Sequence, residues 1–315
     1  MNELPLWLVG SGGMAQDYAK VLVSLNQTFK VIGRGKLSAQ VFQAATGHTV
    51  RLGGISDALS SDKPPQVAIV AVDIEELKPV AEQLILSGTK KILLEKPGSI
   101  NLSEAIYLND LARQYSAKLY IAYNRRFYQS VQKVRQIIAD DDGILSIQFD
   151  FTEWSHLVAP LQKAPVVKEH WLLGNSSHVI DLVFHLCGRP DNWNFWHLGS
   201  LDWHPSAARF CGAGITELGI MFSYMADWQT PGRWGVDIMT KKNRLILRPM
   251  EKLQVIRIGS IALEEINLGN QLDSEFKPGL FLQTESFLKG NDIYLCTLQD
   301  QVENLKIYSK IAGYI

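Results

Sequence analysis

The chain has 315 residues, 46% hydrophobic and 20% charged, with a formal net charge of −1. That composition is ordinary for a globular protein, and the length favours two domains over one core. Balanced charge gives no basic excess for nucleic acid, and no apolar run approaches the roughly 18 residues of a membrane span. Cys187, Cys211 and Cys296 are far apart and in no C-x-x-C spacing, which argues against a disulfide framework or structural zinc. The N-terminal "MNELP" has no basic n-region, so a cytoplasmic protein is expected.

The first predicted element, "LPLWLVG" (4–10), is an apolar strand with Pro5 at its start, where a strand tolerates proline. "GSGGMA" follows, then a helical stripe of Ala15, Tyr18, Ala19, Leu22 and Leu25. Further strands are expected at 29–33, 66–72, 91–94 and 118–123, separated by amphipathic stretches such as 75–87 and 103–115. Such alternation indicates a parallel, doubly wound sheet, which binds ligands outside the carboxyl ends of its strands.

Gly10-x-Gly12-x-x-Ala15 fits the dinucleotide fingerprint. Gly10 allows the tight turn, Gly12 lets the backbone approach a pyrophosphate, and Ala15 keeps the helix close to the sheet. Ser11, Gly13 and Met14 complete that turn, and Val72, at the end of a later strand, is a further cofactor candidate. An NAD site calls for an acid roughly 20 residues past the glycines, yet none occurs between Asp17 and Asp57. The second strand ends instead in Gly33-Arg34-Gly35-Lys36, and the Arg34 guanidinium can pair bidentately with a 2′-phosphate. NADP is therefore expected ahead of NAD.

The strand at 91–94 ends in "LLEKPGS", residues 93–99. It carries Glu95 and Lys96 to a strand's carboxyl end and fixes the turn with Pro97 and Gly98. An ammonium held there stabilises the negative charge that hydride transfer builds on a carbonyl oxygen, and Glu95 can set its position and charge.

From about residue 124 the pattern changes to period two. In "ILSIQFDFT" (144–152), Leu145, Ile147, Phe149 and Phe151 share one face; "TELGIMFSY" (216–224) repeats the pattern through Leu218, Ile220, Phe222 and Tyr224. With 243–249 and 254–258 these suggest an antiparallel sheet with one open face, of the kind that pairs subunits, so a homodimer or homotetramer is expected. Seven of the eight tryptophans fall in this half, mostly as core or interface residues. In "GNSSHVIDLVFHLCGRP" (174–190), Asn175, Ser176 and Ser177 offer N-caps for a helix running to about Cys187. His178 would then sit in the first turn, where the helix dipole favours neutral imidazole, with Asp181 one turn on. His185 shares the helix, but no H-E-x-x-H pattern accompanies it, and no metal is expected.

Three pieces in this order resemble the glucose-fructose oxidoreductase/inositol dehydrogenase (Gfo/Idh/MocA) family: "GSGGMA", "LLEKP" and "HVIDLVFHLCG". "YNRRF" (123–127) and the C-terminal tail are similar to it as well, so the resemblance spans the chain. It implies an α/β protein: a Rossmann domain over residues 1–122, then a substrate-binding and oligomerisation domain over 123–315 with a large open, mostly antiparallel sheet. It implies an NAD(P)-dependent oxidoreductase of sugars, inositols or sugar nucleotides. Lys96 matches the family's lysine on the reacting oxygen and His178 its acid or base. Asn124, Arg125, Arg126, Asn175, Asp181 and Arg233 become candidates for substrate contact. Spare positive charge on the arginines suits a phosphate or nucleotide diphosphate, as in surface-polysaccharide pathways. Where many members have an aspartate four residues before the histidine, this chain has Gly174. The alternatives are a non-catalytic dinucleotide sensor and a reductase of an imine or other non-sugar carbonyl.

Overall fold

Short apolar runs build the first sheet because both of its faces are buried. Leu6–Val9 (β1), Phe29–Ile32 (β2), Val50–Arg51 (β3), Val67–Val70 (β4), Lys91–Leu94 (β5) and Lys118–Ile121 (β6) run parallel in the order β3-β2-β1-β4-β5-β6. The strand Cys296–Thr297 adds antiparallel to the free edge of β6. Helices such as Gly13–Ser24, Ile74–Leu86 and Leu102–Gln114 connect the strands and bury Leu22, Leu84 and Leu108. Register aligns the carboxyl ends, with Val9 opposite both Ile32 and Val70. Strand order reverses between β1 and β4, which opens the crevice where doubly wound sheets bind ligands. The computed structural model describes residues 6–269 and 271–314; Pro5 and the rest of "MNELP" lie outside the described residues.

Alternating strands build the second sheet. It comprises Ser146–Asp150 (β7), Pro190–Leu198 (β8), Arg209–Thr216 (β9), Met221–Asp227 (β10), Gly235–Met239 (β11), Asn243–Leu247 (β12), Gln254–Arg257 (β13) and Glu264–Glu265 (β14). Their order is β14-β13-β12-β11-β7-β10-β9-β8, antiparallel except for the pairing of β10 with β7. Ile147, Phe149, Phe222, Tyr224, Val236 and Ile238 are buried. Phe184 of the helix Ser177–Cys187 meets the Phe149 and Phe222 rings edge-on, at 5.8 and 5.4 Å, so that helix covers the face they form. On the other face Trp196, Ile215, Met221 and Met225 are exposed, and register sets Trp196 and Met225 on either side of Cys211.

Two expectations for this half need correction. Residues 216–224 are not one strand: β9 ends at Thr216 and β10 starts at Met221, joined by a turn in which Gly219 takes φ +76°. Turn chemistry overrode the alternation there, and Leu218 is exposed. Leu145 is also exposed, lying just before β7 begins. The strands β8, β9 and β11 were not expected.

The chain forms two compact units, residues up to Asn124 together with Glu275–Glu303, and Arg125–Ser274 together with Asn304–Ile315. A single boundary at 122/123 therefore misses the return of 275–303 to the first unit. Period and composition mark where a texture changes, but not where a distant segment comes back. Among the described residues no helix is long and apolar enough to cross a membrane.

His185 makes the second unit sensitive to acid. Its Nε2 accepts a hydrogen bond from Arg135 Nη2 at 2.9 Å, since arginine can only donate. Burial, reinforced by the charges of Arg126 and Arg135, lowers its pKa to about 2. The unfolded chain takes up this proton below about pH 6.5 and the folded one does not. Stability from this group is therefore full above that pH and falls by about 1.4 kcal/mol per unit below it, until the folded group titrates. Denaturant unfolding at pH 7 and pH 5 should show this loss, and His185→Gln should reduce it by about one proton's worth.

Candidate active site

In the first unit the turn after β1 is cut for glycine. Gly10 has φ +125°, and an added Cβ would lie 2.1 Å from the Ala71 carbonyl oxygen. A Cβ on Gly12 or Gly13 would meet nothing within 4 Å, so the backbone there is bare. Gly12 caps the helix Gly13–Ser24 without a side-chain hydrogen bond, which leaves its first amides to an anion. Ala15 is fully buried, as the close packing of helix on sheet requires.

This turn opens on a cleft of about 700 Å³. Gly10, Ser11, Gly12, Gly13, Met14, Arg34 and Val72 all stand in its walls, whereas Ala15, Glu95 and Lys96 do not. The bare amides and the volume fit the pyrophosphate and adenosine of a dinucleotide. Arg34 lies where the spacing rule expects the ribose-reading residue, at the end of β2. Its Nη1 is 2.9 Å from Oε1 of Glu76, in the first turn of the helix Ile74–Leu86. An acid is thus present in the cleft, supplied 42 residues further along the chain, where the spacing rule does not look.

The "LLEKPGS" turn is braced from three sides. The Glu95 carboxylate is buried and accepts a hydrogen bond from Tyr18 Oη at 2.9 Å. Burial pushes its pKa up, while the adjacent Lys96 charge and the Tyr18 bond pull it down. Gly98, with φ +86°, donates its N–H to the Glu95 carbonyl, and a Cβ on it would come within 2.5 Å of Ile121 Cδ1. Gln301 Nε2 donates to the Pro97 carbonyl at 2.8 Å and to Tyr123 Oη at 3.0 Å. Lys96 is half-buried on this frame. Asn124, in the same unit, donates to the Pro278 carbonyl at 2.9 Å.

In the second unit the centre is a residue that the sequence did not single out. Glu153, just beyond β7, is buried and accepts from Asn175 Nδ2 at 2.9 and 3.1 Å, Ser176 Oγ at 2.7 Å and Arg233 Nη1 at 3.0 Å. Burial raises its pKa against the pull of Ser176, Arg233 and Asn175. Its position at a strand end was the available signal, masked because the alternating pattern stops there. Arg233 lies over Trp154 at 4.8 Å and over Trp234 at 4.4 Å, and Arg125 lies over Trp234 at 4.6 Å. Burial lowers the Arg125 pKa, and its Nε makes no hydrogen bond. The His178 ring lies 6.3 Å from the same indole.

Glu153 also undoes the expected N-cap. Asn175 and Ser176 turn their side chains to it, while Ser177 Oγ donates back to the Leu173 carbonyl at 2.6 Å. The chain reaches Ser177 through a π turn, Leu172–Ser176, so His178 lies inside a continuous helical segment rather than at a free N-terminus. The helix-dipole reason for a neutral imidazole therefore does not hold. One turn on, Asp181 is buried and bidentate with Arg126, whose Nη2 and Nε lie at 2.6 and 2.7 Å. These two candidates are thus brought together as an ion pair.

Comparison with known proteins agrees with this architecture. Residues 6–123 match the Gfo/Idh/MocA oxidoreductase family, described as an NAD-binding Rossmann fold. The match covers the first part of the chain, the parallel-sheet unit. Similar solved structures include UDP-N-acetylglucosamine 3-dehydrogenase GnnA from Acidithiobacillus ferrooxidans, 15% identical, with 99% of this chain and 97% of that one covered at a TM-score of 0.75. An oxidoreductase from Agrobacterium radiobacter in complex with NAD+, L-tartaric acid and magnesium is 12% identical, covering 99% and 97% at 0.80. Levoglucosan dehydrogenase with NADH and L-sorbose is 15% identical, covering 100% and 97% at 0.78. At these identities the likeness is one of fold. No curated protein matches in sequence. The chain is thus of the α/β class, with a parallel first sheet that matches an NAD-binding Rossmann fold and a mostly antiparallel second one.

Removing one partner of the Arg126–Asp181 pair strands a buried charge. Arg126→Met should destabilise the protein by about 3–5 kcal/mol, and the double change Arg126→Met with Asp181→Leu should recover much of that loss. Urea unfolding of the two variants beside the parent protein measures both effects.

Proposed function

We propose that this oxidoreductase prefers NADP(H) and moves a hydride to or from the carbon of a sugar-type alcohol or ketone. The observation that carries the reading is the braced turn after β5, which carries Lys96 at a strand's carboxyl end, in a chain with a cleft that fits a dinucleotide. When bound, the nicotinamide supplies or accepts the hydride. Gly12 and Gly13 would hold its pyrophosphate on bare amides, and Arg34 would take the 2′-phosphate. Lys96 stabilises the negative charge that develops on the substrate oxygen, an interaction stronger in the transition state than in the ground state. His178 takes the hydroxyl proton in oxidation and returns it in reduction. Both roles are carried over from the family's lysine and histidine.

A sugar substrate is supported by the named activities of the similar structures, which include a UDP-N-acetylglucosamine dehydrogenase and a levoglucosan dehydrogenase. Arg125 and Arg233, both set against Trp234, suit a sugar nucleotide of a surface-polysaccharide pathway, with the indole as a stacking surface for the substrate. Asn175 and Asp181 would reach the substrate indirectly, since Glu153 and Arg126 hold their side chains. The exposed Trp196, Met221 and Met225 support a homo-oligomer paired through the open sheet face. Gly174, standing where the family often has an aspartate, favours one rival, a dinucleotide sensor without turnover.

Two measurements separate these readings. Wild-type protein should bind NADPH more tightly than NADH and oxidise or reduce at least one member of a panel of free sugars, sugar acids and nucleotide sugars. Binding without turnover on the whole panel would favour the sensor. Lys96→Met should lower kcat by about 10²–10³ while leaving the NADPH Kd within twofold, since it removes charge stabilisation at the reacting oxygen. Unchanged turnover in that variant would sink the assignment of Lys96.

A further inference from the structure

The Arg34–Glu76 pair lies inside the dinucleotide cleft, and neither the fingerprint nor the family pattern accounts for its acid. Arg34 has its stem laid across Gly54, where an added Cβ would stand 2.9 Å from Arg34 Cγ, and its head pairs with Glu76 at 2.9 Å. Its side chain is 67% exposed and that of Glu76 31%, so the pair is weak and can open. An exposed ion pair of this kind holds its partners by no more than about a factor of five. On the Arg34 side, Ser38 also lines the cleft, and the helix Lys36–Thr46 begins there with no acid in its first turn. That side suits a phosphate, and the opposing Glu76 does not.

We infer that Glu76 and Arg34 form a two-way discriminator at the adenosine ribose. Paired, they admit NAD(H): Glu76 offers a carboxylate oxygen to the 2′-hydroxyl while Arg34 is held aside by the same carboxylate. Opened, they admit NADP(H): Arg34 leaves Glu76 and takes the 2′-phosphate. Glu76 is then a specificity-determining residue that moderates the preference set by Arg34. The inference rests on the reading of the cleft as a dinucleotide site.

Isothermal titration of NADPH and NADH into the wild type, Glu76→Gln, Arg34→Ala and the double variant tests it without any assay of turnover. Glu76→Gln should shift the ratio of Kd values toward NADPH by about three- to tenfold, through freer Arg34, lost repulsion of the phosphate and a poorer ribose acceptor. In the Arg34→Ala background the part of the gain for NADPH that comes from freer Arg34 should vanish, leaving a smaller shift. Equal shifts for both cofactors, or a full gain that persists without Arg34, would overturn the inference. Failure of the wild type to bind either cofactor would overturn the reading of the cleft instead, and the inference with it. Both residues are surface-exposed, and thermal melts within a few degrees of wild type confirm that the variants fold.

Discussion

The chemistry proposed for this protein depends on one constraint, a charged pair carried to the end of a strand whose preceding residues are buried. A carboxylate cannot be left dry and unpartnered, so Tyr18 reaches it from the first helix and Lys96 stands beside it. That solution ties the fingerprint helix to the turn after β5. The residues that would hold the cofactor and the residue that would polarise the substrate oxygen therefore share a rigid frame within one unit. Gly98 lets the turn lie close to Ile121, where a larger residue's Cβ would not fit. Precision of about half an ångström in a reacting group needs support of this kind rather than a flexible loop.

The second unit meets the same problem with a different economy. Glu153 is satisfied by four hydrogen bonds from three side chains, so one buried carboxylate orients Asn175, Ser176 and Arg233 together. The carboxylate comes from just beyond β7, not from the helix that carries Asn175 and Ser176. Arg233 gains both a charge partner and two aromatic faces, which restricts a side chain that would otherwise sample many rotamers. Its direction is set before any ligand arrives.

Much of the fold could be read from residues alone, and for a simple reason: local periodicity reports burial. The four-residue apolar runs of β4, β5 and β6 and the alternation of β7 all fall where their patterns place them. The same reasoning failed where tertiary partners decide. Residues 216–224 alternate as well as β7 does, yet a turn divides them. Ser176 looks like a cap, yet its hydroxyl serves Glu153. That Gly10, Gly12 and Arg34 share one cleft was legible because it depends on backbone geometry and short spacing. Glu76, Glu153 and Gln301 were not legible, since each joins its partners across 22 to 204 residues of chain.

The return of residues 275–303 to the first unit bears on how the molecule is made. Gln301 donates to Pro97 and Tyr123, and Cys296–Thr297 closes the edge of β6. A ribosome that has released the whole dinucleotide fingerprint and the lysine turn has still not supplied their last support, and will not until Gln301, 204 residues beyond Pro97, has emerged. During that interval β6 is an open edge, the kind of surface that invites wrong pairing. Fragments ending near residue 124 would inherit the same open edge, so the part of the chain with the plainest sequence signature is incomplete by itself.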